Sequence, residues 1–181
     1  MIDRPTDLAK FIIGQSKDVK IAVDMTAGNG NDSKFILENL KPETLYAFDI
    51  QKEAMDNTLD LLGDTQNFKF ILDSHENIEK YIQDKVDLVV YNLGYLPRGD
   101  KSITTHGDST INSLKKAMEM LNKNGKIVIT VYPGHPEGLK EAGDLADFLS
   151  TLDQHRYIVM RISYDNKINK PPFIYIIEKR Y

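Results

Sequence analysis

One stretch constrains this chain more than any other. Residues 20–32 read Lys-Ile-Ala-Val-Asp-Met-Thr-Ala-Gly-Asn-Gly-Asn-Asp. Ile21, Ala22, Val23 and Met25 form a short apolar run suited to a buried strand. The run breaks into a glycine-containing loop, Thr26 to Gly30. Asn31, Asp32 and Ser33 then suit a helix start, and Phe35, Ile36, Leu37 and Leu40 follow at helical spacing. Strand, glycine loop and helix make the entry unit of a nucleotide-binding α/β domain. The loop lacks the Gly-Lys-Ser/Thr ending that grips phosphates. It is also an incomplete G-x-G-x-x-G, because Ser33 stands where the third glycine would be. Acidic residues flank it, Asp24 before and Asp32 after; carboxylates there disfavour a pyrophosphate and favour a sulfonium and an ammonium. The loop by itself leaves three readings open: an S-adenosylmethionine (SAM) cradle, a dinucleotide site, or an ordinary strand-to-helix turn.

The rest of the chain narrows them. Strands are expected at Thr44–Ile50, Phe68–Leu72, Val86–Leu93 and Lys126–Tyr132, with Gly125 starting the last. Helices are expected at Pro5–Gln15, Lys52–Leu62, Glu76–Ile82, from Asp108 or Ser109 to Leu121, and at Pro136–Leu152. Arg156–Tyr164 and Pro172–Lys179 then read as two strands joined by a polar turn. Alternating β and α segments imply a parallel sheet with helices on both faces. A closing hairpin makes the last strand antiparallel. The expected fold is therefore α/β: the seven-stranded, mostly parallel Rossmann-like sheet of class I SAM-dependent methyltransferases, in one domain spanning 1–181. An NAD-binding domain does not normally end on such a hairpin.

Composition excludes several chemistries. With 181 residues there is chain enough for a full core, and no cysteine is present for disulfides, thiolate catalysis or Cys-based zinc sites. No apolar run is long enough to span a bilayer, and the N-terminus lacks the pattern of a signal peptide. The expectation is a cytoplasmic protein with no membrane association. The histidines show no metal-ligand spacing, so no metal is expected. The net charge of −4 is unusual for a protein with a broad nucleic-acid footprint. A local patch offsets it: residues 155–181 hold Arg156, Arg161, Lys167, Lys170, Lys179 and Arg180 against Asp165 and Glu178. With Arg98 and Lys101 these could form a phosphate-facing rim, which a homodimer would double.

Candidate site residues cluster at the expected carboxyl ends of strands. Asp49 ends the second strand, 21 positions after Gly28; a carboxylate there can accept both ribose hydroxyls of a nucleoside, or simply cap the next helix. Gln51 follows it and could touch ribose or adenine. Asp73, Ser74 and His75 follow the third strand, as adenine contacts or helix caps. Asn92 and Tyr95 sit in Asn-Leu-Gly-Tyr-Leu-Pro after the fourth strand. Amino-directed methyltransferases carry Asn/Asp-Pro-Pro-Tyr/Phe at this position, where the amide orients the target nitrogen and the ring packs on the base. His106 with Asp108, or His135, could relay a proton; a solvated loop histidine is the plainer reading of each.

Taken together, the Thr-Ala-Gly-Asn-Gly-Asn-Asp loop, Phe-Asp-Ile-Gln, Asp-Ser-His, Asn-Leu-Gly-Tyr-Leu-Pro and Gly-His-Pro segments resemble the YtqB/MnmM-type methyltransferases, long labelled rRNA methylases. The likeness runs from near the N-terminus to the final strand pair. It implies SAM as cofactor, with Asn29, Asn31, Asp49, Gln51, Ser74 and His75 as its contacts. Asp24, Gly28 and Gly30 complete the expected cradle. It also implies methylation of the 5-aminomethyl group on the wobble (2-thio)uridine of tRNA, in the anticodon stem-loop. An rRNA or a small-molecule amine is the alternative acceptor. Arg98 departs from the small residue usual in its loop, which puts the details of tRNA contact in question and leaves cofactor binding alone.

Overall fold

A computed structural model describes residues 4–94 and 107–181. Seven strands form one sheet in the order β3-β2-β1-β4-β5-β7-β6. The strands are β1 (Ile21–Asp24), β2 (Thr44–Asp49), β3 (Phe68–Leu72), β4 (Val86–Asn92), β5 (Leu121–Val131), β6 (Tyr157–Ile162) and β7 (Phe173–Lys179). The first five pair in parallel; β7 inserts antiparallel between β5 and β6. The helices are α1 (Pro5–Gly14), α2 (Asn31–Asn39), α3 (Lys52–Leu62), α4 (Ile78–Tyr81), α5 (Gly107–Met120) and α6 (Pro136–Ser150).

Both faces of the sheet are covered, and strand alternation divides the core between them. In β1, Ala22 faces a cluster with Ile13, Ile36 and Leu45, whereas Val23 faces one with Phe48, Leu114 and Leu145. In β4, Leu88 and Val90 take the first face and Val89 and Tyr91 the second. Val86 breaks that parity by joining the second cluster, because the pairing with β5 shifts register between Val86 and Leu88. Asp87 sits at this irregularity. Its carboxylate accepts from the Lys20 and Ile21 amides at 2.8 and 3.0 Å and from Asn122 Nδ2 at 2.6 Å, tying three strands together where they enter the sheet. The same shift extends β5 back to Leu121, ahead of the expected start at Gly125.

Two other elements differ from expectation. The segment after β3 opens as a 3-10 turn, His75–Asn77, before α4, because the Ser74 hydroxyl accepts from the Glu76 amide and draws the chain into a tight turn. Lys179, counted above in the basic rim, is buried. Its ammonium donates to the carbonyls of Met118, Glu119 and Leu121 at the carboxyl end of α5, at 3.2, 3.3 and 3.0 Å. It caps a helix and is lost to any phosphate-facing surface.

The strand order reverses direction at β1, with β2 on one side and β4 on the other. A crevice forms at such a switch point, beyond the carboxyl ends of the strands.

Candidate active site

The glycine loop is built at that crevice. Gly28 and Gly30 take φ of 53° and 76°, left-handed values that side-chain-bearing residues resist. The buried Asp24 accepts from the Thr26 amide at 3.1 Å and from the Ser33 hydroxyl at 2.7 Å. Ser33 thus fills the third-glycine position with a small side chain that also anchors the carboxylate beneath the loop. Asp49 accepts from the Gly28 amide at 3.0 Å and from the Gln51 amide at 2.9 Å, joining the loop to the end of β2. Burial raises the proton affinity of both carboxylates, and Asp24, crowded also by Asp32, reaches a pKa of about 7.

The segment after β3 forms a second wall. Asp73 accepts from Asn77 Nδ2 and the Tyr81 hydroxyl, bonds that hold its carboxyl below the usual range. The His75 ring lies edge-on to Tyr91, with its Nδ1 buried and lacking a hydrogen-bond partner. Desolvation lowers its pKa to about 4, so the imidazole is neutral at physiological pH. A neutral ring with a vacant, buried nitrogen suits a ligand that supplies the missing hydrogen bond.

The end of β4 supplies the third side. The Asn92 amide donates to Thr26 Oγ1 at 2.7 Å, fixing β4 against the loop. Asn92 Nδ2 donates to Asp32 Oδ2 at 3.2 Å. Burial raises the Asp32 pKa, while Lys10 and Asn92 oppose the shift. Tyr132, following β5, is pushed up to about 12, first by burial and then by the Asp32 charge.

These surfaces enclose one cleft of about 1130 Å³. Gly28, Asn29, Asn31, Asp49, Gln51, Ser74 and His75 line it, as do Asn92 and His135. Asp24 and Gly30 do not. Asp24 is engaged beneath the loop, and a Cβ on Gly30 would meet Thr58 at 3.0 Å. Asp108 lies exposed in the first turn of α5, away from the lining. His135 Nδ1 accepts from the Gly138 amide at 3.0 Å as the N-cap of α6. Tyr95, Arg98, Lys101 and His106 lie outside the described residues.

The cleft also has walls that the motifs did not announce. Arg4, the N-cap of α1, and Thr6, Asp7 and Lys10 within that helix line it, as do Lys170 and Pro172 before β7. Asp32 was visible beside the glycine loop, but its pairing with Asn92 depends on bringing β1 and β4 side by side. Among the described residues no group of three His, Cys, Asp or Glu is arranged to hold a metal ion, and no helix is long and apolar enough to cross a membrane.

A family model described as "Putative rRNA methylase" matches residues 45–178. The chain belongs to this family. A protein of the same description from Clostridium thermocellum superposes with a TM-score of 0.94 at 37% identity, over 99% of both chains. A Streptococcus mutans protein described as a methyltransferase, solved with S-adenosylhomocysteine (SAH), superposes with a TM-score of 0.88 at 38% identity, over 99% of both chains. The fold is thus the class I methyltransferase fold that the β-α alternation and the closing hairpin led us to expect. The chloroplastic tRNA (mnm5s2U34)-methyltransferase of Arabidopsis thaliana is 32% identical over 171 residues, 87% of this chain. This methylase-family chain spans 62% of that relative's length.

Proposed function

We propose that this rRNA methylase family member is a SAM-dependent N-methyltransferase acting on RNA. Its acceptor is the 5-aminomethyl group of the wobble (2-thio)uridine in the anticodon stem-loop of tRNA. One observation carries the reading: a single cleft joins the Gly28–Asp49 cradle and the vacant His75 nitrogen to the Asn92 amide. The residues suit SAM. Desolvated carboxylates at Asp24 and Asp49 favour a cationic ligand over a pyrophosphate. Asp49 is placed to accept from ribose hydroxyls, and His75 to meet a polar group of the nucleoside. Bound SAM supplies an electrophilic methyl group.

The chain's own part is orientation and proton control. Because the Asp32 carboxylate accepts, the amide nitrogen of Asn92 faces it, leaving Asn92 Oδ1 free to accept from an amine N–H. The wobble-uridine acceptor is supported by the Asn92-containing motif and by the name of the Arabidopsis relative. The net charge of −4 favours a second acceptor class, a small-molecule amine. Nucleoside mass spectrometry of tRNA from cells lacking this gene separates the two. Accumulated 5-aminomethyl-2-thiouridine supports the tRNA reading, and unchanged wobble uridines refute it.

A further inference from the structure

An alkylamine is almost wholly protonated near neutral pH, since its pKa is about 10. An ammonium has no lone pair for a methyl group, so an N-methyltransferase for such an acceptor needs a group that holds the cation and removes its proton. The histidines suggested by the motifs do not supply one among the described residues. His135 uses Nδ1 to cap α6, and His75 is held neutral by burial. Asp73, also on the wall, is committed to Asn77 and Tyr81.

Asp32 meets the requirement. It lines the cleft, whereas Asp24 on the strand below is sealed from it. Its Oδ2 is held by Asn92, the residue placed to orient the acceptor nitrogen. Resting on the amine-acceptor reading above, we propose that Asp32, held by Asn92, receives the substrate ammonium and takes its proton. The proton passes from nitrogen to a carboxylate oxygen and then to solvent. The nitrogen keeps the electron pair with which it takes the donor's methyl group, and the carbon–sulfur pair leaves with sulfur. The charged neighbours act in opposing senses. Burial raises Asp32's proton affinity towards that of an amine, Lys10 from α1 lowers it, and the Asp32 charge in turn raises Asp24 below it and Tyr132 across the cleft. Asp49 also raises Asp24.

The test compares wild-type protein with Asp32→Asn, which keeps shape and can still pair with Asn92. Calorimetry with SAH should give affinities within about twofold of each other. Methylation of an anticodon stem-loop RNA bearing 5-aminomethyluridine should fall by about a hundredfold or more at pH 7, the usual worth of a positioned acid–base group. In the variant, turnover should climb about tenfold per pH unit as free amine accumulates, while the wild type responds less steeply. A variant-free measurement stands beside these. SAH-loaded wild type should bind the aminomethyl RNA at least about tenfold more tightly than the same RNA bearing 5-methyluridine, as a charge-assisted hydrogen bond requires. Loss of SAH binding in Asp32→Asn, turnover within about threefold of wild type, or equal affinity for the two RNAs overturns the assignment. Wild-type protein unable to methylate the amine overturns both the assignment and the reading beneath it.

Discussion

Gly30 offers the sharpest test of how the loop is built. It sits at φ 76° and ψ 7°, capping α2 without a side chain. Replacing it by alanine brings two separate costs. The left-handed backbone costs an L-residue about 1–2 kcal/mol. The new Cβ would stand 3.0 Å from both Thr58 Cγ2 and Oγ1, and 3.2 Å from Thr58 Cα. Overpacking of that kind costs about 1–3 kcal/mol. Gly30→Ala should therefore lose about 2–5 kcal/mol. With a urea slope of about 2 kcal/mol/M, the midpoint should fall by about 1–2.5 M. A double-mutant cycle separates the parts. Thr58→Ala removes the clashing side-chain atoms but also the 3.1 Å hydrogen bond from its hydroxyl to the Gly28 carbonyl, worth about 1 kcal/mol. The double variant should be more stable than the sum of the two losses predicts, by up to the packing share, with the backbone share remaining. Zero coupling would refute the clash, and a total loss under about 1 kcal/mol would refute the reasoning as a whole.

Other consequences follow from the same geometry. Asp24's pKa of about 7 in the folded chain exceeds its ordinary 3.8, so the native state binds that proton more tightly than the unfolded one. Its contribution is complete below about pH 4 and disappears as pH rises through 7. Urea unfolding should show wild type weaker at pH 8 than at pH 5, and Asp24→Asn should remove that group's share of the slope. Lys179→Met should cost about 1–3 kcal/mol, read by thermal or urea unfolding, because the buried Leu121 carbonyl loses its side-chain donor while Lys85 still reaches Glu119 and the Tyr157 hydroxyl still reaches Met118. His75→Phe should weaken SAH by about tenfold in calorimetry while folding normally, and wild-type affinity should carry no His75 titration between pH 6 and 8. Lys170→Glu should weaken RNA binding and flatten its salt dependence by about one charge, with SAH affinity unchanged.

Elements fixed by local chemistry were legible in the sequence. Lys52–Leu62 and Phe68–Leu72 fall where expected, because Gly63, at φ 60°, stops the helix and the following apolar run is short. What depended on a partner was not legible. The early start of β5 follows from a register shift against β4. Lys179 reads as a surface charge until Tyr157 is placed opposite it in β6 and the end of α5 is placed beneath it. Asp108, two positions after His106, is exposed in the first turn of α5, and its expected pairing with His106 lies outside the described residues. Neither was Asp24 distinguishable from Asp32: both are acidic and both flank one loop. One ends a strand and is sealed beneath the loop, whereas the other sits in the first turn of a helix and lines the cleft.

That division also reconciles a net charge of −4 with an RNA acceptor. Acidic groups gather on the loop side, where the carboxyl ends of β1 and β2 and the start of α2 draw Asp24, Asp32 and Asp49 together, and Asp73 and Glu76 line the cleft beyond β3. Negative potential there favours a sulfonium donor and an ammonium acceptor. Cations line the same cleft from other elements, with Arg4 at the N-cap of α1, Lys10 on α1 and Lys170 before β7. Arg4 is half spent on its 2.9 Å pair with Asp7, which among the described lining residues leaves Lys10 and Lys170 to meet a phosphodiester. A few such contacts give modest affinity and a shallow salt dependence. In the proposed reading, selectivity rests on the buried chemistry around Asn92 and Asp32. The proposed RNA acceptor is thus compatible with a negatively charged chain, provided one nucleotide reaches the carboxylates and its backbone stays at the rim.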